Sequence, residues 1–102
     1  MLYRPYGSTG IPVSLLGFGG MRFGAIDDRS AGVAMMLEAA RAGVTYFDTA
    51  PGYFGGKSEE TFGEAFREMR RLGLPYLSAT KTFSSTEAEI RAQVETQLAR
   101  LG

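Results

Sequence analysis

Val44-Thr45-Tyr46-Phe47-Asp48-Thr49-Ala50-Pro51-Gly52-Tyr53 is the stretch from which the fold can be read. Val44 to Phe47 are all β-branched or aromatic, the composition of a buried strand, and Pro51-Gly52 then turns the chain. A helical pattern follows after Ser58. Phe62, Ala65, Phe66, Met69 and Leu72 fall on one face, Gly73 supplies a stop, and Pro75 lies just beyond it. Glu59 and Glu60 occupy the first turn, where carboxylates suit the positive end of the helix dipole. Tyr76-Leu77-Ser78-Ala79-Thr80 is a further apolar run, which closes a strand–helix–strand unit.

The same alternation extends outward on both sides. Upstream, Leu15 to Gly17 reads as a strand, and a helix follows after Asp27 or Asp28, either of which can cap its free amides. Val33, Met36, Leu37 and Ala40 form its apolar face and Gly43 ends it. Downstream, a third helix starts near Ser84 to Thr86, with Thr86 and Glu89 spaced as a capping box. Its Ile90, Val94 and Leu98 recur at every fourth position, and Gly102 is placed to cap it. At the start of the chain, Leu2 to Tyr6 and Ile11 to Ser14 flank Gly7-Ser8-Thr9-Gly10, the pattern of a short hairpin.

Strand–helix is therefore repeated about three times, with strand starts roughly 30 residues apart, and each crossover favours a right-handed return into a parallel sheet. Both a doubly wound sheet and a (β/α)8 barrel begin this way. A barrel takes about 250 residues, so 102 residues hold about three of its eight units. The expectation is an α/β chain in which residues 1–102 are the N-terminal portion of such a barrel, ending before its fourth strand.

Composition narrows the function. Eleven Lys and Arg balance eleven Asp and Glu, so no charge excess points to nucleic acid or an anionic membrane as partner. The longest apolar run, Val33 to Leu37, is too short to cross a bilayer, and Met1 to Pro5 lack the apolar stretch of a signal peptide. Cytoplasm is the expected compartment. The sequence has neither cysteine nor histidine, which removes disulfides and thiolate metal sites; no metal is expected within these residues.

Three residues carry chemistry as a set. Singly, Asp48 reads as a loop cap, Tyr53 as a surface aromatic and Lys81 as a strand-end cation reaching solvent. Yet Asp48 and Lys81 end neighbouring parallel strands, the side on which barrel enzymes place their sites, and Tyr53 lies on the loop after Asp48. Reducing a carbonyl requires a proton for the developing alkoxide. A free phenol, with a pKa of about 10, is a poor acid at neutral pH, and a nearby ammonium lowers that value. Tyr53 as acid, Lys81 as its perturber and Asp48 as the partner orienting Lys81 make a proton-donor site. Gly17 and Gly19 do not make a dinucleotide fingerprint, because the third glycine would fall at Arg22 and no helix starts there. With Gly20, they either let the loop pass close to a ligand or give it simple freedom. Met35, Met36 and Met69 read as core, and Arg67, Arg70 and Arg71 as a solvated helix face.

Asp48-Thr49-Ala50 with Tyr53, Lys81 at the end of the third strand, and Leu16 to Arg22 together resemble the aldo/keto reductase family. Gly56-Lys57-Ser58-Glu59 is similar to the entry of that family's second helix, and the opening hairpin to the one that closes the bottom of its barrel. The likeness covers essentially the whole chain. Leu16 to Phe23 with Lys57-Ser58-Glu59 is most similar to a bacterial branch whose members often carry a C-terminal iron–sulfur domain, which would lie beyond Gly102. The resemblance implies a partial TIM barrel and an oxidoreductase that reduces aldehydes and ketones with NADP(H), or NAD. It implies Asp48, Tyr53 and Lys81 as three of four catalytic residues, and Gly20, Met21 and Asp48 near the nicotinamide. The fourth catalytic residue is a histidine ending the fourth strand, and the phosphate-binding loops belong to the last strands, so neither is expected here. The partners implied are a small carbonyl substrate and the remainder of the barrel, or another copy of the chain along open strand edges. Two other readings share the fold: a cofactor-binding regulatory barrel without turnover, and a self-assembling half-barrel.

Overall fold

The computed structural model describes residues 1–25 and 28–102. Strands β1 (Tyr3–Pro5) and β2 (Pro12–Ser14) pair antiparallel around a 3₁₀ turn at Gly7–Thr9, forming the expected hairpin. The order then runs β3 (Phe18–Gly19), α1 (Arg29–Arg41), β4 (Tyr46–Asp48), α2 (Ser58–Leu72), β5 (Leu77–Ala79) and α3 (Glu87–Leu101). Strands β3, β4 and β5 form a parallel sheet in that spatial order. Phe18 and Gly19 sit opposite Phe47 and Asp48, which in turn pair with Ser78 and Ala79.

Alternation along β4 divides the sheet into two faces. Phe47 is wholly buried beneath the helices with Met36, Ala40, Val44, Phe62, Ala65, Phe66 and Met69. Phe66 lies edge-on to Phe47 and Phe62 and stacks flat on Tyr76, with ring centroids 4.2 Å apart. Aromatic pairs of this kind add about 0.5–1.5 kcal/mol each beyond the area they bury. Tyr46 and Asp48 occupy the opposite face. The hairpin is tied to the entry of β4 by a reciprocal pair: the Ser14 amide donates to Thr45 Oγ1 and the Thr45 amide to Ser14 Oγ, both at 2.9 Å.

The helices end where their sequence signals place them. Asp28 caps α1 by accepting from the Ser30 amide at 2.8 Å, whereas Asp27 lies outside the described residues. Thr86 caps α3 through the Glu89 amide. Gly43, Gly73 and Gly102 follow the three helices with positive φ. α2 starts at Ser58 itself rather than after it.

Several local expectations are corrected. The first strand is Phe18–Gly19, not Leu15–Gly17. Ser14 Oγ also donates to the Leu16 carbonyl and bends the chain there, so parallel pairing begins only where Phe18 comes alongside Phe47. Leu15 and Leu16 are left 60% and 63% exposed. The other two strands begin later than their apolar runs, because the Thr45 amide is already engaged with Ser14 and Leu77 is the first residue of its run to pair with β4. Leu72, expected in the buried stripe of α2, and Met35, expected in the core, are both exposed, while Met36 and Met69 are fully buried. On α3, Val94 and Leu98 are exposed and Ile90 half-buried; the buried residue is Gln97. The end of α3 packs closely on α2 at Gly63, where any Cβ would collide with the Arg100 carbonyl. Among the described residues no helix is long and apolar enough to cross a membrane.

Candidate active site

The parallel strands deliver their last residues to one end of the sheet. Asp48 closes β4, and Lys81 lies two residues past β5. The chain leaving β4 passes Pro51-Gly52 into a 3₁₀ segment, Tyr53–Gly56, in which Phe54 takes a left-handed conformation with φ 54°. That conformation is uncommon outside glycine. It reverses the loop immediately after Tyr53.

The structure brings Asp48, Tyr53 and Lys81 together. Lys81 Nζ donates to Asp48 Oδ1 at 2.6 Å and to the Thr49 carbonyl at 2.9 Å. The same ammonium lies 5.1 Å from the centroid of the Tyr53 ring, a cation–π distance. The Lys81 and Asp48 side chains are 38% and 37% exposed, so the pair is only partly covered within these residues.

Burial alone would lower the Lys81 pKa, but the hydrogen bond and charge of Asp48, followed by the influence of Tyr53, outweigh it and hold the ammonium above its ordinary value. A lysine with a raised folded-state pKa stabilises the fold fully below its unfolded value, about 10.4, and loses that contribution as pH rises through the folded value. Exposure keeps the effect small. Thermal unfolding followed from about pH 9 to about pH 12 should therefore show the wild type losing stability relative to Lys81→Met across the window. Parallel curves would mean that the pair contributes nothing to stability.

A second phenol, Tyr46, lies two residues before Asp48 on the same strand. Its pKa is raised, first by burial, then by Tyr6 and Asp48, against a smaller opposing pull from Lys81. Tyr46 is thus a poorer proton donor than an ordinary phenol.

Gly20 and Met21, expected near a nicotinamide, open the 3₁₀ segment Gly20–Ala25, which packs against Tyr53–Gly56. Gly20 is buried, and a Cβ there would lie 2.6 Å from the Phe62 ring and 2.9 Å from Ser58 Oγ. Contacts within the chain therefore demand this glycine. A Cβ at Gly17 would come 3.3 Å from the Tyr46 ring, whereas one at Gly19 would meet open space. Met21 is 57% exposed.

The sequence reading missed the residues that brace this site. Thr49 Oγ1 and Ser58 Oγ share a buried 2.7 Å hydrogen bond. Glu59 is fully buried, accepting from Thr80 Oγ1 at 2.7 Å and paired with Arg100 at 3.1 Å. Gln97 Nε2 donates to the Lys81 carbonyl at 2.6 Å. Gln97 did carry a signal: it is a polar residue on the shoulder of the Val94–Leu98 apolar stripe.

The sequence profile of the Aldo/keto reductase family matches residues 15–102. The chain is 34% identical over 108 aligned positions to the L-galactose dehydrogenase of Arabidopsis thaliana, covering 96% of this chain and 34% of that protein. The holo form of an aldo-keto reductase from Bacillus halodurans superposes with a TM-score of 0.81 at 32% identity, over 99% of this chain and 36% of the other. An aldo-keto reductase from Klebsiella pneumoniae, solved in complex with NADPH, gives a TM-score of 0.76 at 27% identity, over 90% of this chain and 32% of the other. The chain spans about a third of the length of these relatives.

Proposed function

This chain belongs to the aldo/keto reductase family, and from that premise we propose that it supplies the proton-donor side of an NAD(P)H-dependent oxidoreductase reducing aldehydes and ketones to alcohols. The observation that carries the reading is the 2.6 Å Asp48–Lys81 pair lying against the Tyr53 ring. Tyr53 gives its proton to the developing alkoxide. Lys81 stabilises the phenolate left behind, and Asp48 keeps the ammonium charged and in place. Gly20, Met21 and Asp48 border the nicotinamide end of the cofactor, NADP(H) in the first instance, which when bound supplies the hydride. The substrate is a small carbonyl compound. Residues 1–102 are read as the N-terminal portion of the barrel, completed by chain that contributes the histidine absent from this sequence.

Oxidation of NADPH by the full-length protein in the presence of a simple aldehyde tests the activity; its absence across a panel of aldehydes and ketones would sink the proposal. Residues 1–102 alone should be inert. They should also self-associate, because β3 and β5 are the outer strands of the sheet and Leu15 and Leu16 are exposed. Open edges invite pairing with other chains. Light scattering on the purified 102-residue chain would show dimers or larger species, and a monomer at high concentration would refute that expectation.

A further inference from the structure

The first two residues of α2 touch the ends of both site-bearing strands. Ser58 Oγ holds the side chain of Thr49, whose carbonyl accepts from the Lys81 ammonium. The next residue, Glu59, holds the Thr80 hydroxyl immediately before Lys81. From the other side, Gln97 on α3 holds the Lys81 carbonyl. Arg100, one turn further along α3, completes the arrangement by pairing with Glu59.

Burying a carboxylate completely is costly even when it is paired, and an apolar residue of similar volume would fill the space as well or better. A carboxylate does something an apolar residue cannot: it fixes a hydroxyl at one point. The lysine side chain is a flexible four-carbon stem with a compact charge at its tip. Asp48 and the Thr49 carbonyl hold the tip, and the backbone at the end of β5 sets the point from which the stem must reach them. Functional groups need second-layer contacts to remain in productive geometry.

We propose that Glu59 and Gln97 are positioning residues for Lys81, clamping the backbone at the end of β5 between α2 and α3 so that the ammonium meets Asp48 and Tyr53. The proposal rests on the assignment of Lys81 to the proton-donor site. Neither residue reaches the reacting groups; both act through the backbone and through Thr80.

Replacing Glu59 would strand Arg100 and risk the fold, so the test is made at Thr80 in the full-length protein. Thr80→Val keeps the side-chain shape and the Glu59–Arg100 pair but removes the hydroxyl, and Thr80→Ser restores it. Thr80→Val should lower kcat by about tenfold with KM for NADPH within about twofold, since small misplacements at a reacting centre cost rate more than binding. Thr80→Ser should recover most of the loss. The ¹⁵N resonance of the Lys81 ammonium, read without turnover, should shift in Thr80→Val and return in Thr80→Ser. Wild-type kcat and an unmoved resonance in Thr80→Val would overturn the proposal, as would a loss that Thr80→Ser does not rescue. If the wild type reduces no carbonyl but the resonance responds as described, the enzymatic reading fails and the clamp stands.

Discussion

Tyr53→Phe is expected to lower kcat for aldehyde reduction by the full-length protein about 10²- to 10⁴-fold, the range a positioned general acid supplies. The substitution removes one oxygen and keeps the ring, so the packing of Tyr53 over Lys81 persists. NADPH affinity, measured by fluorescence titration, should change by less than about threefold, because an interaction made only in the transition state leaves ground-state binding untouched. Tyr46→Phe is the matched control. Its phenol is also close enough to feel the charge of Lys81, but burial and Tyr6 push its pKa up and make it a poor donor. Turnover in Tyr46→Phe should stay within a few-fold of wild type. If Tyr46→Phe is the slower enzyme, the acid has been assigned to the wrong phenol.

The second large effect is on stability. Phe66→Ala should cost about 3–5 kcal/mol in equilibrium urea unfolding of the full-length protein, the usual range for truncating a buried phenylalanine. Phe66 is 1% exposed and touches the rings of Phe47, Phe62 and Tyr76, so its loss opens a cavity between the sheet and α2. Phe83, on the loop after Lys81, is 76% exposed within residues 1–102, and Phe83→Ala should cost less than Phe66→Ala. Similar costs for the two variants would mean that the aromatic cluster is not the centre of the core.

The consequences of Phe66 and of Tyr53 were legible in the sequence to different degrees. Phe62, Ala65, Phe66 and Met69 repeat at helical spacing, which marks the buried face of α2 without any knowledge of its neighbours. Tyr53, Asp48 and Lys81 could be grouped because two of them end apolar runs joined by a helix, and parallel strands joined that way bring like ends together. Their mutual distances could not be read, since those depend on register, and the pairing of Tyr46 with Leu77 and Asp48 with Ala79 sets it.

The sequence by itself determined the hairpin, the parallel sheet, three helices with the side-chain caps of α1 and α3, and the end of the sheet that carries the polar trio. These follow from signals confined to a few neighbouring residues: periodicity, capping side chains and glycines that accept positive φ. Tertiary structure alone decided where the first strand pairs, why Gly20 must be a glycine, and which polar residues go inside. From the sequence, Glu59 is a first-turn carboxylate suited to the helix dipole, with nothing local to mark it as buried. It is buried because its partners, Thr80 and Arg100, stand 21 and 41 residues away and arrive only when the sheet and α3 are in place. Conversely, Met35, Leu72, Val94 and Leu98 carry the apolar signature of core residues but find no covering surface among the described residues. Local pattern records what a side chain prefers, whereas burial depends on what the rest of the chain brings to meet it.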